Sequence, residues 1–321
     1  MDGVIIIDKP AGWTSHDVVA RARRLLRERR VGHTGTLDPF ATGVLVLLVG
    51  RATRLAQFLS GAEKEYEAVV RFGYKTDTGD LTGAPLSIVS PDAARLSSLD
   101  ESDFGRALST LRGEIGQTPP MYSAKKVRGQ KLYELARRGE EIERAAVRVK
   151  VSEFDIVRGG SGQLVSVNED GTCDARVRVV CSAGTYVRVL AEQLGERLGV
   201  GAHLAGLRRT RAGTFRVAEA VTLERLQELA ESARVAEVLV EMSAALPAVP
   251  SMHLTAGDER RVANGAEAQA PADAHARWLD GARVRMLGAG GRLLAVGTYD
   301  ARRGAVRPRV ALGGAAEEAG N

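Results

Sequence analysis

The chain has 321 residues, 44% hydrophobic and 26% charged, with a formal net charge of +5 and a pI near 9.4. That length admits one large domain or two smaller ones around a real core, and the composition excludes a largely disordered protein. No run approaches the roughly 20 apolar residues that cross a bilayer, and aromatics at 4% argue against a broad base-stacking platform of the single-strand-binder type.

Val4 to Ile7 reads as a short buried strand. It is too short for the core of a signal peptide, so a cytoplasmic protein is expected. Asp8 to Trp13 turns into a helix with Ser15 as its expected cap. Val18, Val19, Ala22, Leu25 and Leu26 form an apolar stripe to about Arg30 and leave arginines outside. Between Arg21 and Arg30 six arginines face one glutamate. Such a cluster is either a solvated helix face or a phosphate-binding surface, because a planar guanidinium donates two hydrogen bonds to phosphate at once. Arg24, Arg27 and Arg30 are the candidate contacts to an RNA backbone.

Val31 to Gly43 gathers three glycines, Pro39, His33, three threonines and one carboxylate, Asp38. Glycine opens unusual backbone conformations and Pro39 pushes Asp38 away from helical geometry, so the segment is a shaped loop. The plain alternative is an Asp-Pro turn bonding its own backbone.

Val44 to Val49 follows as strand and Arg51 to Leu59 as helix. Lys64 to Phe72 alternates, with Tyr66, Ala68, Val70 and Phe72 on one side of a strand. Lys75 to Asp80 reads as a polar surface loop and Asp103 to Leu111 as a helix. Residues 119–145 form a basic insertion, irregular at Pro119 to Lys126 and helical at Lys131 to Arg138, with the look of a mobile clasp.

Strands are expected at Arg148 to Val157, Gln163 to Asn168 and Ala175 to Cys181, then a helix over Tyr186 to Leu198. Short strands at Leu204 to Leu207 and Thr214 to Val217 flank Arg208 and Arg209, two further candidate backbone contacts, before a helix over Leu223 to Leu239. Cys173 and Cys181 lack the spacing of a zinc or redox site and are expected as buried small residues in neighbouring parts of one sheet. Pro247 and Pro250 mark a boundary. Residues 1–247 form the first unit, and 248–321 read as a small β domain with Gly-rich turns, the arginines 302, 303, 307 and 309, and a dispensable tail from Gly313.

The segment from Gly32 to Gly43 resembles the G-H-x-G-x-L-D-P-x-A-x-G motif of the TruB family of tRNA pseudouridine synthases. Asp8 to Ser15, Lys64-Glu65-Tyr66, Cys181 to Arg188 and Gly201 to Arg209 are similar to further family motifs, in family order. The resemblance implies an α+β fold, a mixed and mainly antiparallel central sheet flanked by helices, with a C-terminal β-barrel-like domain of PUA type. It implies isomerisation of the uridine at position 55, in the T-loop of tRNA, without metal or cofactor. Asp38 would be the nucleophile, acting at the sugar or through a glycal, and Arg188 the arginine that pairs with it. Tyr66 would stack on the base and serve in proton transfer at C5, Tyr186 and Leu207 would line the uracil pocket, and His33 would stack into the opened RNA.

A carboxylate suits this task on physical grounds, since glycosidic cleavage develops positive charge on the ribose that a nearby anion stabilises in a dry pocket. Hydrolytic glycosidases use two carboxylates to manage a water, and the Asp38 motif offers one. An opposite charge at Arg188 would favour the ionised form. The tRNA T-arm is the expected partner, with no membrane and no obligate protein partner or guide RNA. Two other readings remain: a non-catalytic RNA-binding module, and the guide-RNA-dependent relative of a multi-subunit particle.

Overall fold

A computed structural model describes residues 1–86, 98–123, 125–127, 130–136, 138–140, 142–158 and 162–313. Ala124, Arg128, Gly129, Arg137 and Glu141 of the expected clasp, and tail residues 314–321, lie outside the described residues.

One large sheet organises the first unit. In spatial order its main strands are Gly3–Lys9, Thr42–Val49, Ala202–Ala212, Lys64–Phe72, Cys173–Cys181, Val147–Ile156 and Gly113–Gln117. All neighbours along this path are antiparallel except Ala202–Ala212 against Thr42–Val49, where Arg208 pairs with Thr42 and Arg209 with Gly43. The mixed, mainly antiparallel sheet is thus present. The two cysteines are buried in one sheet, as expected, at the two ends of a single strand, and both are free.

The opening strand and its Thr42–Val49 partner are apolar on both faces because both faces are covered. Ile5, Ile7, Leu45 and Leu47 pack under the helices Ser15–Leu26 and Leu223–Glu231. Val4, Ile6, Val46 and Leu48 share one core cluster with Leu287, Leu293 and Val296 of a second, five-stranded sheet built from residues 251–311, and with Leu312 just beyond it. Farther along the large sheet, the alternation of Tyr66, Ala68, Val70 and Phe72 buries that row, as expected, against the helices Glu101–Ser109 and Val187–Leu198.

Several boundaries differ from expectation for local reasons. Thr14, not Ser15, caps the first helix, in a reciprocal box with Asp17, and the helix stops at Leu26 because Arg27 adopts φ 51. The helix expected over Leu223 to Leu239 ends at Glu231, with Ala233 at φ 57 and a short 3₁₀ turn over Val235–Val238. Gly50–Leu55 is 3₁₀ before a single α turn at Ala56–Leu59. Gln163 to Asn168 contributes only Ser166–Val167 as strand. Ala202–Ala212 is one continuous strand, with register shifts between Leu204 and Gly206 and between Arg209 and Arg211. No described helix is long and apolar enough to cross a membrane.

Candidate active site

The Asp38 loop is fastened from three sides. Leu37 is buried in the main core, and the Ser15 hydroxyl accepts from its N–H at 2.9 Å and donates to its carbonyl at 3.2 Å. Ser15 therefore holds the loop instead of capping a helix. Lys9, with 0% exposure, gives its ammonium protons to the carbonyls of Pro10, Trp13 and Pro39 at 2.8, 2.7 and 3.2 Å, while Gly12 N–H donates to the same Pro39 carbonyl at 2.8 Å. Arg209 enters from below, donating to the carbonyls of Val44, Thr36 and Gly35. Gly43 lets the chain leave the loop. Its φ is +98°, and a Cβ there would lie 2.2 Å from the Arg209 carbonyl oxygen.

Asp38 meets Arg188, the second residue of the helix Val187–Leu198. Nε of Arg188 lies 2.9 Å from Oδ2, and Nη2 donates to Oδ1 at 3.3 Å, a fork matched to a carboxylate. Arg188 is 4% exposed and also donates to the carbonyls of Thr78 and Tyr122 at 2.8 and 2.7 Å, which fixes its plane. Behind it stands a second acid. Asp80 Oδ2 is 3.8 Å from Arg188 Nη1, while its Oδ1 accepts from Thr78 Oγ1, Thr82 Oγ1 and the Thr82 N–H. The expected surface loop at Lys75 to Asp80 is accordingly a buried wall at Thr76 and Asp80, both 5% exposed.

Lost hydration pushes the Asp38 carboxyl above its ordinary value, with Asp80 adding to the push and Arg188 and Lys9 opposing it. Arg188 favours the ionised form, as its opposite charge implies, but the loss of water outweighs the ion pair. A third of the Asp38 side chain remains open to solvent.

Two cavities, of about 250 and 600 Å³, meet at Asp38. The smaller runs toward Lys64, Tyr66, Tyr186, Leu207 and Arg209, so the sequence-selected pocket residues do converge. Tyr66 and Arg209 are direct cross-strand neighbours, as are Ala68 and Leu207. Burial raises the Tyr66 phenol and Arg209 pulls it back, so the resting phenol is protonated. Lys64 donates to the carbonyls of Ser60 and Ala62, and burial beside Arg209 lowers it to about 8. Gln117, fully buried, accepts from the Tyr186 N–H at 2.7 Å and donates to the Tyr186 carbonyl at 3.1 Å. Asp80, Lys9, Lys64 and Gln117 were not marked by sequence. Lys9 and Lys64 do lie inside motifs, and that was their only signal.

His33 sits at the start of the loop outside the lining of either cavity. Its Nδ1 accepts from the Gly35 N–H at 3.2 Å, leaving the proton on Nε2, and its ring lies edge-on to His16 with centroids 5.8 Å apart. Burial lowers its basicity, so it is neutral.

Arg24, Arg27 and Arg30 are exposed at the end of the first helix. The helix begins at the loop through Ser15, so this cluster lies about 18 Å away along a 12-residue helix. Arg208 is committed to Asp8 through contacts of 3.1 and 2.7 Å. Arg209 is 1% exposed, so its expected role as an RNA backbone contact is corrected: its guanidinium braces the Asp38 loop from inside.

One aspartate forked by a buried arginine, above a pocket walled by an aromatic ring and two cations, has the make-up of an enzyme's active site. Solved structures of the archaeal box H/ACA sRNP Nop10-Cbf5 complex (26% identity, TM-score 0.66, 97% of this chain and 86% of that chain) and of a Cbf5-Nop10-Gar1 complex (25%, 0.68, 97% and 85%) share its fold. The model of the TruB family pseudouridylate synthase N-terminal domain matches residues 23–187, and that of the tRNA pseudouridylate synthase B C-terminal domain matches 188–246. Relatives named tRNA pseudouridine synthase B include those of Thermobifida fusca (48% identity, 82% of this chain and 85% of the relative) and Geobacillus thermodenitrificans (44%, 85% and 87%). The chain belongs to the TruB family of pseudouridylate synthases and is an isomerase.

Proposed function

We propose that this chain converts the uridine at position 55, in the T-loop of tRNA, to pseudouridine, with Asp38 as the catalytic nucleophile. The observation that carries this reading is the forked Asp38–Arg188 pair at the mouth of the Tyr66 pocket. The names of the relatives support tRNA as the substrate.

The N1–C1′ bond breaks with its electron pair leaving on the uracil. The base turns, C5 bonds to C1′, the C5 proton is lost and N1 gains one. Asp38 acts by attack at C1′, its oxygen leaving again as C5 bonds there, or by taking the C2′ proton and returning it as C5 adds, and Arg188 holds its two oxygens in place. Lys64 and Arg209 flank the cavity that receives the departing uracil anion, where fixed positive charge favours cleavage. Tyr66 stacks on the base between Tyr186 and Leu207. His33, neutral and edge-on to His16, fills the gap left when the uridine is extruded.

Arg24, Arg27 and Arg30 contact the RNA backbone, and residues 248–321 form a PUA-type RNA-binding unit through Arg302, Arg307 and Arg309. No cofactor, protein partner or guide RNA takes part. Purified protein incubated with a T-arm hairpin should place one pseudouridine at the position equivalent to 55, seen by chemical mapping. Asp38→Ala should abolish it while RNA affinity stays within about tenfold, roughly 1.4 kcal/mol. A fully active Asp38→Ala protein overturns the reading, and a need for added RNA overturns guide independence.

A further inference from the structure

Thr36, Leu37, Asp38, Ser123 and Arg188 line both cavities and so form the waist between them. Each polar group there is accounted for except one. Asp38 and Arg188 bind each other, and the remaining Arg188 donors go to Thr78 and Tyr122. Thr36 is exposed to water. Ser123 is 5% exposed, and its hydroxyl is buried with no hydrogen-bond partner among the described residues. A buried hydroxyl left unpaired is destabilising, and native proteins seldom keep one without use.

Its position is fixed by the catalytic arginine. Ser123 directly follows Tyr122, whose carbonyl takes the Arg188 Nη2 proton at 2.7 Å, and the Ser123 N–H donates to the Met121 carbonyl at 2.9 Å. A shift of Ser123 would move the carbonyl that orients Arg188.

From this we infer that Ser123 is a substrate contact that recognises the 2′-hydroxyl of the target ribose. The inference rests on the assignment of Asp38 as the group addressing that sugar. With the uracil in the Tyr66 cavity and Asp38 at C1′ or C2′, the ribose occupies the waist. Its 2′-oxygen is two bonds from C1′, beside the wall that carries Ser123. A serine hydroxyl both donates and accepts, which matches another hydroxyl, whereas a phosphate would draw on guanidinium or backbone N–H donors. The 2′-hydroxyl is also the group that separates RNA from DNA at a single position.

The test uses full-length protein and two T-arm hairpins, alike except for uridine or 2′-deoxyuridine at the target. Binding is measured in an Asp38→Asn background, so that bound uridine is not consumed, with and without Ser123→Ala. Ser123 intact should prefer the ribose hairpin about tenfold, or 1.4 kcal/mol. Ser123→Ala should bind both alike, at the affinity of the deoxy complex, with thermal stability unchanged or higher. In the otherwise wild-type enzyme, Ser123→Ala should lower kcat/KM about tenfold.

Equal weakening toward both hairpins would mean a structural role and overturns the inference. So does the absence of any ribose preference in a protein that isomerises the uridine hairpin. Wild-type turnover of that hairpin reports separately on the target itself, and a hairpin that is never modified overturns the reading beneath both.

Discussion

The Lys9 ammonium donates to the carbonyl of Pro39 across 3.2 Å, so the residue after Asp38 is tied to the end of the first strand. This tie has an electrostatic cost, since burial lowers Lys9 from 10.5 to about 8. Lys9→Met removes that cost, roughly 3 kcal/mol. It also takes the ammonium away from the Pro10 and Trp13 carbonyls and leaves the Pro39 carbonyl with the Gly12 N–H alone, and a net loss of about 2–3 kcal/mol with a lower kcat is expected. Because the unfolded lysine binds its proton more tightly than the folded one, the stability contributed by Lys9 rises as pH climbs from about 8 toward 10.5. The gap between wild type and Lys9→Met in urea denaturation should therefore widen over that window. A gap that narrows would show that Lys9 is not buried as a cation.

The pH dependence of the rate follows from Asp38. If ionised Asp38 is the nucleophile as proposed, its raised folded value means that single-turnover rates should fall, as pH drops, at a higher pH than an ordinary aspartate would give. Removing the opposing cation with Arg188→Gln should move this acid limb up, and removing the like charge with Asp80→Asn should move it down. Both variants should lose at least about tenfold in rate, by roughly the strength of one charged hydrogen bond. Limbs that move the same way in both would mean that Asp38 does not set the profile.

Surface and buried arginines should separate in salt titrations. Replacing Arg24, Arg27 and Arg30 together by Ala should reduce the slope of log K against log salt by about one unit per lost phosphate contact. Arg209→Gln should leave that slope alone while lowering stability and kcat. An Arg209 variant with a flattened slope and normal kcat would restore it to the RNA surface.

Gly43→Ala tests the loop exit. The required φ of +98° and a backbone oxygen 2.2 Å from the added carbon leave no room for adjustment. A loss of at least about 2 kcal/mol is expected. A melting temperature equal to wild type would mean that the Asp38 loop can leave by another path.

What was legible in the sequence was local. The Asp38 segment is contiguous, and its glycines and proline announce a shaped loop before any partner is known. Arg208 and Arg209 were read as one basic pair, yet successive strand residues point to opposite faces, so one reaches Asp8 and the other the floor of the pocket. The strand that carries them reads as ending at Leu207, short of Ala212, because its register shifts interrupt the two-residue alternation. Thr76 and Asp80 read as solvated, since polar residues that satisfy one another look in sequence like residues that face water. Gln117 lies in an unremarkable segment, and its pairing with Tyr186 depends on a contact 69 positions away.

Val4, Ile6, Val46 and Leu48 share one core cluster with Leu287, Leu293, Val296 and Leu312, so the second sheet is a back wall for the strand that ends at Lys9. A truncated protein stopping at Pro247 would present that row to water as a sticky seam, and its catalytic half would clump when expressed alone. Any graft that exchanges the C-terminal half must bring a replacement apolar face of the same shape.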